Sequence, residues 1–491
     1  MTRQIQVLAT AFLFLFGAIF VNLNYLQVIA ADDLANHPAN KRLLIGEYEV
    51  DRGEILARDR QTVLARSRAT QGDLKYLRRY PEGELYAHTT GYHSFVFGRS
   101  EIEQSYNEFL SARAPHLFPQ RLVDDILGRD REGATVVTTI DPELQQVATD
   151  GMGSFQGGVA AIDPRTGEVL ALVGVPSYDP NRLSSHDGRQ VRRAWDELNE
   201  DPDKPMLSNA NDDVFPPGST FKVVTAAAAL ENGLGPESTW DNPQSLDLPQ
   251  TTNDLDNFGG SHCLGGAGQI TLAQALQVSC NVTFAQVGLE VGAEALVEQA
   301  RRFGFSEEVP FDIPFAEGQI PEPSAFDQDL PGLAFSAIGQ QDVRTNPLHM
   351  ALVAGSIGNG GVMMRPRLVA EIRDPSGRVI ERYEPEEYSR PLSTGNARAL
   401  TQMMRAVVDS GTATGAQIPG VSVAGKTGTA QTVEGQAPHA WFIAFAPAER
   451  PTIAVAVVVL GRGDLSNEAT GGAVAAPIAK AVMEAALERG T

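Results

Sequence analysis

The amino-terminal apolar stretch limits what this chain can fold into more than any other feature of the sequence. Residues 5–21 are almost wholly apolar, and weaker hydrophobicity continues to Ala31. A stretch of this length is long enough to cross a bilayer with some tilt. We therefore expect a transmembrane anchor at residues 5–28, preceded by a short cytoplasmic tail, residues 1–4.

The charges that flank this stretch predict its orientation. Arg3 precedes it, and Asp32 and Asp33 follow it, so the positive-inside rule places the remainder outside the cytoplasm. The alternative is a signal peptide cleaved after residues 28–30, although the apolar stretch exceeds the usual signal core of about 7–15 residues. Both interpretations export the rest of the chain.

Length, charge and cysteine content exclude several classes of function. The chain has 491 residues, 42% hydrophobic, which indicates folded protein with more than one domain. Its net charge of −22 argues against a nucleic-acid partner, because phosphate would be repelled. Cys263 and Cys280 do not have metal-ligand spacing and could form at most one disulfide. We expect no metal or cofactor.

Apolar runs at both ends of the larger part of the chain predict an α+β domain. Residues 158–162 and 168–173 flank a turn sequence and are predicted to form a β-hairpin. Residues 439–445 and 452–460 are typical of strands, and residues 471–487 of a closing helix. The long region between them has mainly helical patterns, so distant parts of the chain would complete one sheet.

A serine and a lysine three residues apart form the first candidate catalytic pair. Ser219 follows Gly218, and residues 221–230 then predict an apolar helix. Lys222 would lie one turn after Ser219 on the same face. A desolvated lysine can accept the serine proton, and N–H groups at the helix start can stabilise an oxyanion. Serine is also a common N-cap residue, so this pair alone does not establish catalysis.

Two further motifs follow in order. Ser279-Cys280-Asn281 comes after a helical pattern and places a hydroxyl and an amide two residues apart, although a helix end has the same composition. Lys426 and Thr427, within residues 424–430, suit a carboxylate, although a glycine-rich turn is the alternative. Ser-x-x-Lys, Ser-x-Asn and Lys-Thr-Gly, in this order, are the active-site motifs of penicillin-binding proteins and serine β-lactamases.

With these motifs, the chain resembles the class B penicillin-binding proteins, which are peptidoglycan D,D-transpeptidases, and is most similar to the actinobacterial penicillin-binding protein A group. The similarity covers nearly the whole length, and the segments that carry it outside the three motifs are residues 51–65, 98–110, 161–170, 176–181 and 439–447. It implies a penicillin-binding or serine β-lactamase-like transpeptidase domain at residues 151–491, with an antiparallel sheet flanked by helices and a helical subdomain. A membrane-proximal module, residues 29–150, would join this domain to the anchor.

The resemblance implies a role for each motif residue in acyl transfer. Ser219 would attack the penultimate D-Ala carbonyl of a stem peptide and expel the terminal D-Ala. Lys222 would be the base, and Ser279 with Asn281 would relay protons and hold the donor amide.

The third motif and two backbone groups would bind the substrate. Lys426 with Thr427, Gly428 and Thr429 would hold the terminal carboxylate. The backbone N–H groups of Ser219 and Thr429 would form the oxyanion hole. A β-lactam resembles D-Ala-D-Ala and would be trapped as an ester on Ser219.

The resemblance also implies location and partners. The chain would be a single-pass protein of the bacterial cell membrane that acts on peptidoglycan stem peptides and meets divisome or elongation proteins. No segment between the anchor and the predicted hairpin has the size of a glycosyltransferase domain, so a partner would polymerise the sugars.

Two positions depart from the family pattern. Ser208-Asn209-Ala210 stands where the family often has Asn-Arg-Ala, which puts a local packing interaction in doubt. Cys280 occupies the middle of the second motif. Either it is a small buried residue, or it forms a reversible disulfide with Cys263 that would distort the Ser279 loop.

Other functions are compatible with parts of the sequence. A β-lactamase or a D,D-carboxypeptidase would pass the same acyl-enzyme to water, but a β-lactamase usually lacks an anchor and module. A β-lactam sensor should have a cytoplasmic signalling portion, and a silent scaffold should have lost a motif. A cysteine-dependent L,D-transpeptidase would use Cys263 or Cys280 with a histidine such as His262, but its Gly-x-Cys neighbourhood is missing.

Overall fold

The computed structural model describes residues 2–29, 46, 48–72, 74–117, 122, 126–128, 130–251, 254–266, 268–431, 437–462 and 470–490. Asp32 and Asp33, and the end of the alternative signal-peptide site at Ala30, lie outside these residues. The strands are β1 Ile55–Leu56, β2 Val63–Ala69, β3 Tyr76–Arg79, β4 His93–Ser94, β5 Gly98–Arg99, β6 Thr135–Thr138, β7 Gly157–Ile162, β8 Val169–Val175, β9 Thr239–Asp241, β10 Ser245–Leu246, β11 Leu255–Asp256, β12 Gln269–Thr271, β13 Met363–Met364, β14 Val369–Arg373, β15 Val379–Arg382, β16 Glu387–Ser389, β17 Ala424–Ala430, β18 His439–Ala446 and β19 Ile453–Val459. The α-helices are α1 Thr2–Asn24, α2 Ala87–Thr90, α3 Glu101–Ser105, α4 Asn107–Leu110, α5 Pro142–Met152, α6 Gly188–Glu200, α7 Lys222–Glu231, α8 Leu272–Gln277, α9 Asn281–Val291, α10 Ala293–Arg302, α11 Leu330–Ser336, α12 Pro347–Gly358, α13 Thr394–Ser410 and α14 Ala476–Glu488.

The amino-terminal helix has the length and composition of a membrane span. Residues Arg3–Gln27 form 25 helical residues whose most apolar window has a mean hydropathy of 2.1 and buries nothing against the rest of the chain. Its apolar side chains therefore contact no core of this protein. Among the described residues, it is the only helix long and apolar enough to cross a membrane.

A six-stranded sheet contains the strands β1, β2, β3 and β6 of the predicted module at residues 29–150. Its strand order is β15-β14-β6-β1-β2-β3, and β1 runs parallel to β6 with Ile55 opposite Val136. The strands β14 and β15 come from far along the chain. Strand β14 pairs antiparallel with β6, and β15 pairs antiparallel with β14. The module predicted at residues 29–150 thus shares its sheet with a later segment.

Two segments of the predicted module, residues 52–80 and 103–107, meet through one buried carboxylate. Glu103 accepts hydrogen bonds from Arg52 at 2.6 Å, Arg78 at 2.5 Å and the Tyr80 hydroxyl at 3.1 Å. Arg52 also donates to Asn107 at 2.6 Å. Both guanidinium groups and the carboxylate are almost fully buried, so each charge depends on the others for compensation.

The larger domain is built on a five-stranded antiparallel sheet with the order β17-β18-β19-β7-β8. The predicted hairpin is present as β7 and β8, and both predicted carboxyl-terminal strands, β18 and β19, are present as well. Helix α12 packs against β7, β18 and β19, while α5 and α14 pack on each other and on the sheet. The α+β fold with a flanked antiparallel sheet is therefore confirmed.

The closing helix differs from its predicted bounds. Residues Gly471–Ala475 form a π-helical turn, and the regular helix α14 begins at Ala476. A Cβ atom at Gly471 would lie 2.0 Å from the Trp441 carbonyl oxygen, so close contact with β18 constrains this turn. Pro477 in the first helical turn is compatible with this start, because the first-turn N–H groups of a helix need no intrahelical partner.

A helical subdomain lies beside the sheet. Helix α7 is its centre and contacts α9, α10 and α13, while α8 packs on α13 and α11 on α9. All residues of α7 except Glu231 are buried, and its four consecutive alanines allow neighbouring helices to approach closely. This packing holds Lys222, the first residue of α7, in the interior.

Candidate active site

The segment that carries Ser219 is a tight turn pressed against β17. Gly218–Phe221 forms one turn of 3-10 helix that continues directly into α7, so Ser219 lies at the predicted helix start. Gly218 has a φ of +52°, and a Cβ atom there would lie 2.7 Å from the Thr429 carbonyl oxygen. Glycine is thus required for this close approach, which brings Ser219 beside the backbone of Thr429.

Lys222 connects this turn to the second motif. Its buried Nζ donates to Asn281 Oδ1 at 2.7 Å and to the Ser279 carbonyl at 2.7 Å, with a longer contact of 3.4 Å to Ser279 Oγ. Among the described residues, no hydrogen bond joins Lys222 to the partly exposed hydroxyl of Ser219. Catalytic hydrogen bonds are often long in unliganded sites and shorten when the substrate binds.

Lys426 approaches the same serine from β17. Its buried Nζ donates to Ser279 Oγ at 2.8 Å and to the Thr427 carbonyl at 2.8 Å. The alternative of a glycine-rich turn is wrong here, because residues Ala424–Ala430 form a regular strand paired with β18. The strand places the ammonium of Lys426 and the hydroxyl of Ser279 in direct contact.

The two lysines share a site that disfavours positive charge. Burial lowers the pKa of Lys426 to about 7. Burial also lowers the pKa of Lys222 well below its usual value, and the positive charge of Lys426 lowers it further. A neutral lysine amine near neutral pH can accept a proton, which an ordinary exposed lysine cannot do.

The Ser279 hydroxyl is placed to transfer a proton. A serine hydroxyl has one donor hydrogen and two acceptor positions, and the two lysines occupy the acceptor positions. Its own hydrogen therefore remains for a third partner. Ser279 has a φ of 62°, in the left-handed region, so its surroundings must impose this backbone conformation.

The other residues of the third motif lie along the same strand. Gly428 is packed tightly, since a Cβ atom there would lie 2.9 Å from the Pro217 carbonyl and from Trp441. The Thr427 hydroxyl contacts the Thr412 hydroxyl at 2.6 Å. Thr412 is exposed at the end of α13 and was not predicted, because no local pattern relates it to a strand that follows later in the chain.

The two cysteines are joined beside the second motif. Cys263 and Cys280 form a disulfide with the sulfur atoms 2.14 Å apart. With this bond present, Ser279 contacts both lysines, so the expected distortion of the Ser279 loop is not seen. His262, which the L,D-transpeptidase alternative would use, directs Nδ1 to the Asn242 carbonyl, and neither cysteine is a free thiol.

The departure at Ser208-Asn209-Ala210 concerns packing. Ser208 Oγ donates to Asn211 Oδ1 at 2.6 Å, and Asn209 donates to the Val175 carbonyl at 2.7 Å at the end of β8. These contacts hold the segment against the hairpin.

Within the part of the chain that the structure describes, no group of three or more His, Cys, Asp or Glu side chains is arranged to hold a metal ion.

A sheet closed by distant strands, with the three predicted motifs converging beside β17, is the arrangement of a serine acyltransferase. Residues 157–484 match the family model of the penicillin binding protein transpeptidase domain, and residues 52–136 match that of the penicillin binding protein A dimerisation domain. The chain therefore belongs to the penicillin-binding protein family, and its resemblance to the penicillin-binding protein A group is confirmed.

Individual relatives are similar to this chain over nearly its full length. The chain is 40% identical to the peptidoglycan D,D-transpeptidase PbpA of Mycolicibacterium smegmatis, with 100% of each chain covered. It is also similar to solved penicillin-binding protein A from Mycobacterium tuberculosis. The ceftriaxone acyl-enzyme complex aligns with a TM-score of 0.86 at 40% identity, covering 90% of this chain and 100% of the other. The penicillin G acyl-enzyme complex aligns with a TM-score of 0.83 at the same identity, covering 89% and 100%.

Proposed function

We propose that this protein is a peptidoglycan D,D-transpeptidase whose nucleophile is Ser219. The observation that carries this proposal is the convergence of two buried lysines on the Ser279 hydroxyl beside the Ser219 turn. The name of the full-length mycobacterial relatives supports it. The reaction is acyl transfer from a stem peptide that ends in D-Ala-D-Ala to the amine of a neighbouring stem peptide.

In the first step, Ser219 Oγ bonds to the penultimate D-Ala carbonyl carbon, and the peptide bond to the terminal D-Ala breaks. Lys222 in its neutral form accepts the Ser219 proton. The leaving amine must receive a proton. Ser279 gives its own hydrogen to the amine and takes up the proton that Lys222 has accepted, so Lys222 returns to its neutral form. The backbone N–H groups of Ser219 and Thr429 would stabilise the oxyanion.

The third motif is proposed to bind the carboxylate of the terminal D-Ala. Lys426 supplies the charge, Thr427 and Thr429 supply hydroxyls, and Gly428 keeps the strand close to the nucleophile turn. In the second step, the acceptor amine bonds to the ester carbonyl carbon and gives a proton to neutral Lys222. The bond from that carbon to Ser219 Oγ breaks, and Lys222 returns the proton to Oγ. Water in place of the amine would give the carboxypeptidase reaction.

Covalent inhibition by β-lactams follows from the same chemistry. The related penicillin-binding protein A of M. tuberculosis forms acyl-enzyme complexes with ceftriaxone and penicillin G. We expect a β-lactam ring to open on Ser219 and leave an ester. Its carboxylate would bind where Lys426, Thr427 and Thr429 hold the peptide carboxylate.

The location and partners are also proposals. We place α1 in the bacterial cell membrane as a single span with the amino terminus inside, residues 29–150 as a membrane-proximal module and residues 151–491 as the transpeptidase domain. Helix α5, Pro142–Met152, crosses this boundary and packs on β8 and α14 of the transpeptidase domain. The expected protein partners are cell-wall assembly proteins, including a glycosyltransferase.

Labelling with a fluorescent penicillin tests the nucleophile. The full chain in detergent should form a stable covalent adduct, and Ser219→Ala should form none. Ser324→Ala is a matched control, because Ser324 lies exposed in another 3-10 turn, and it should label like the wild type. An adduct on Ser219→Ala, or no adduct on folded wild type, would contradict the proposal.

A second assay separates transfer from hydrolysis. A synthetic stem peptide ending in D-Ala-D-Ala is supplied with an amine acceptor, and the products are identified by mass spectrometry. We expect a cross-linked product that has lost D-Ala. Release of D-Ala with only a hydrolysed peptide would favour the carboxypeptidase, and rapid loss of the penicillin adduct would favour a β-lactamase.

A further inference from the structure

The helix that carries Asn281 begins without a side-chain cap of its own. Helix α9 starts at Asn281, and its N-cap residue, Cys280, makes no side-chain capping hydrogen bond. The Cys280 sulfur is bonded to Cys263 instead. The first N–H groups of a helix have no intrahelical partner, so they need acceptors from elsewhere.

Asn257, on a loop outside the helix, supplies this acceptor. Its Oδ1 accepts hydrogen bonds from the backbone N–H groups of Asn281 and Val282, each at 3.0 Å. The side chain is only 6% exposed. Its Nδ2 donates to the Ser261 carbonyl at 3.1 Å, which fixes the orientation of the amide.

The residue before it orients the side chain of Asn281. The Asp256 carbonyl accepts a hydrogen bond from Asn281 Nδ2 at 3.0 Å. A carbonyl can only accept, so this contact turns the other end of the amide, Oδ1, toward Lys222 Nζ at 2.7 Å. The last residue of β11 and the residue that follows it therefore hold both the side chain and the backbone of Asn281.

We propose that Asn257 is a positioning residue for acyl transfer. Its side chain acts in place of an N-cap for α9 and thereby holds Ser279 and Asn281 in contact with Lys222 and Lys426. Ser279 lies two residues before Asn281 and has the left-handed backbone described above. On its helix α8 side, Cys280 N–H donates to the Ala275 carbonyl at 2.8 Å. On the α9 side, Asn257 holds the chain, so the motif is fixed from both directions. The inference rests on the proposed function.

The same loop region contains a similar residue that has no hydrogen bond to Ser279 or Asn281 among the described contacts, although its Oδ1 lies 3.9 Å from Cys280 Sγ. Asn242 is 5% exposed and donates to the carbonyls of Cys263 and Gly266 at 2.7 Å each. Its burial is nearly equal to that of Asn257, and its Oδ1 also accepts a hydrogen bond from the Cys263 N–H at 3.2 Å. Within the described residues, these bonds stay in the loop region and reach neither Ser279 nor Asn281.

The test compares three variants of the full chain in detergent. Stopped-flow labelling with a fluorescent penicillin over a range of concentrations separates the acylation rate constant from the noncovalent dissociation constant. Asn257→Ala should lower the acylation rate constant about 10- to 100-fold, because small misplacement of catalytic groups has effects of this size, while leaving the dissociation constant nearly unchanged. Asn257→Asp keeps the acceptor oxygen and should restore the rate constant to within about threefold of wild type.

Asn242→Ala distinguishes positioning from general stability. It should lower the melting temperature but keep the wild-type acylation rate constant. A wild-type rate constant in Asn257→Ala, an equal loss in Asn242→Ala, or an equal loss in Asn257→Asp would each overturn the proposal. Failure of the proposed function would look different, because the wild type itself would not be acylated.

Discussion

At the scale of single residues, the site depends on two lysines that are buried without a carboxylate partner among their described contacts. Lys222 and Lys426 instead donate to neutral oxygens of Ser279, Asn281 and Thr427. Desolvation then disfavours the ammonium form of each. Because both lie against one hydroxyl, a change in the charge of one lysine alters the proton affinity of the other.

The pH dependence of acylation should reflect this pair. In the proposed mechanism acylation needs neutral Lys222, so the second-order rate constant should rise with pH as Lys222 loses its proton, at a pH well below the usual lysine pKa. It also needs charged Lys426, so the rate constant should fall as pH passes about 7. The second-order constant reports the free enzyme and gives a bell-shaped profile.

Stopped-flow acylation by a fluorescent penicillin between acidic and alkaline pH measures this profile. Lys480→Gln is the control, because Lys480 lies at the surface with its Nζ 3.8 Å from the Glu484 carboxylate. In this variant the acidic and alkaline limbs of the pH profile should both persist. A rate constant that continues to rise up to the usual lysine pKa would contradict the assignment.

The residues of the three sequence motifs could be selected from the sequence as site candidates. The residues that contact these motifs from other segments could not. Ser219 and Lys222 are three residues apart, so their spacing alone places them on one helical face. Thr412 and Asn257 reach the site from segments far from the residues that they contact. Such contacts depend on tertiary packing and leave no local pattern.

At the scale of elements, the buried carboxylate Glu103 connects α3 to the six-stranded sheet. It compensates the charges of Arg52 and Arg78, which are also buried. Burial by itself would raise the pKa of Glu103, but the two guanidinium groups lower it to about 2. The folded pKa is therefore below the ordinary value, and the ionised form is the stabilising one.

Replacing this carboxylate should destabilise the fold. Glu103→Gln leaves two buried guanidinium groups without a counter-charge, which should lower the free energy of unfolding by about 3–5 kcal/mol. Urea unfolding followed by tryptophan fluorescence measures this loss, and Trp195, which stacks on Phe97 at 4.1 Å, reports on the neighbouring packing. Glu197→Gln removes an exposed ion pair with Arg182 and should cost less than about 1 kcal/mol.

The same group gives a direction for acid denaturation. Its contribution to stability is complete above the ordinary glutamate pKa and is lost as pH falls from there toward about 2. In Glu103→Gln this part of the acid dependence should be absent. An unchanged acid profile would contradict the assigned role.

The β7–β8 hairpin followed from the sequence, but the individual pairings between distant strands did not. Strands β7, β8, β18 and β19 were evident as short apolar runs, whereas the pairing of β14 with β6 was not predicted. A strand's sequence reports its burial and not its neighbour. The predicted domain boundary at residue 150 has the same weakness, because it was drawn from local sequence. Helix α5, which crosses it, packs on α14 near the end of the chain, and local sequence does not show this contact.

At the scale of the whole molecule, α1 is separate from the rest of the fold. Its exposed apolar side chains bury nothing within the described chain. Deleting residues 2–28 should therefore move the protein from the membrane to the soluble fraction and leave penicillin labelling unchanged. Alkaline extraction of membranes followed by labelling measures both effects.

Phe258→Ser is the control for this deletion, because Phe258 is an exposed apolar residue, 77% exposed, outside the anchor. It should not alter membrane association. Orientation is tested with protease added to intact protoplasts, which should degrade the chain. Protection until the cells are lysed would contradict the proposed topology.

The order of strands in the five-stranded sheet has a consequence for synthesis. Residues 157–162 in β7 pair with residues 454–459 in β19, near the end of the chain. The ribosome synthesises β7 and β8 long before β19. Until β19 is made, the edge of β7 that will pair with it exposes unpaired N–H and C=O groups. Because contacts between distant residues also form slowly, the nascent chain is open to mispairing until nearly its last residues have been added.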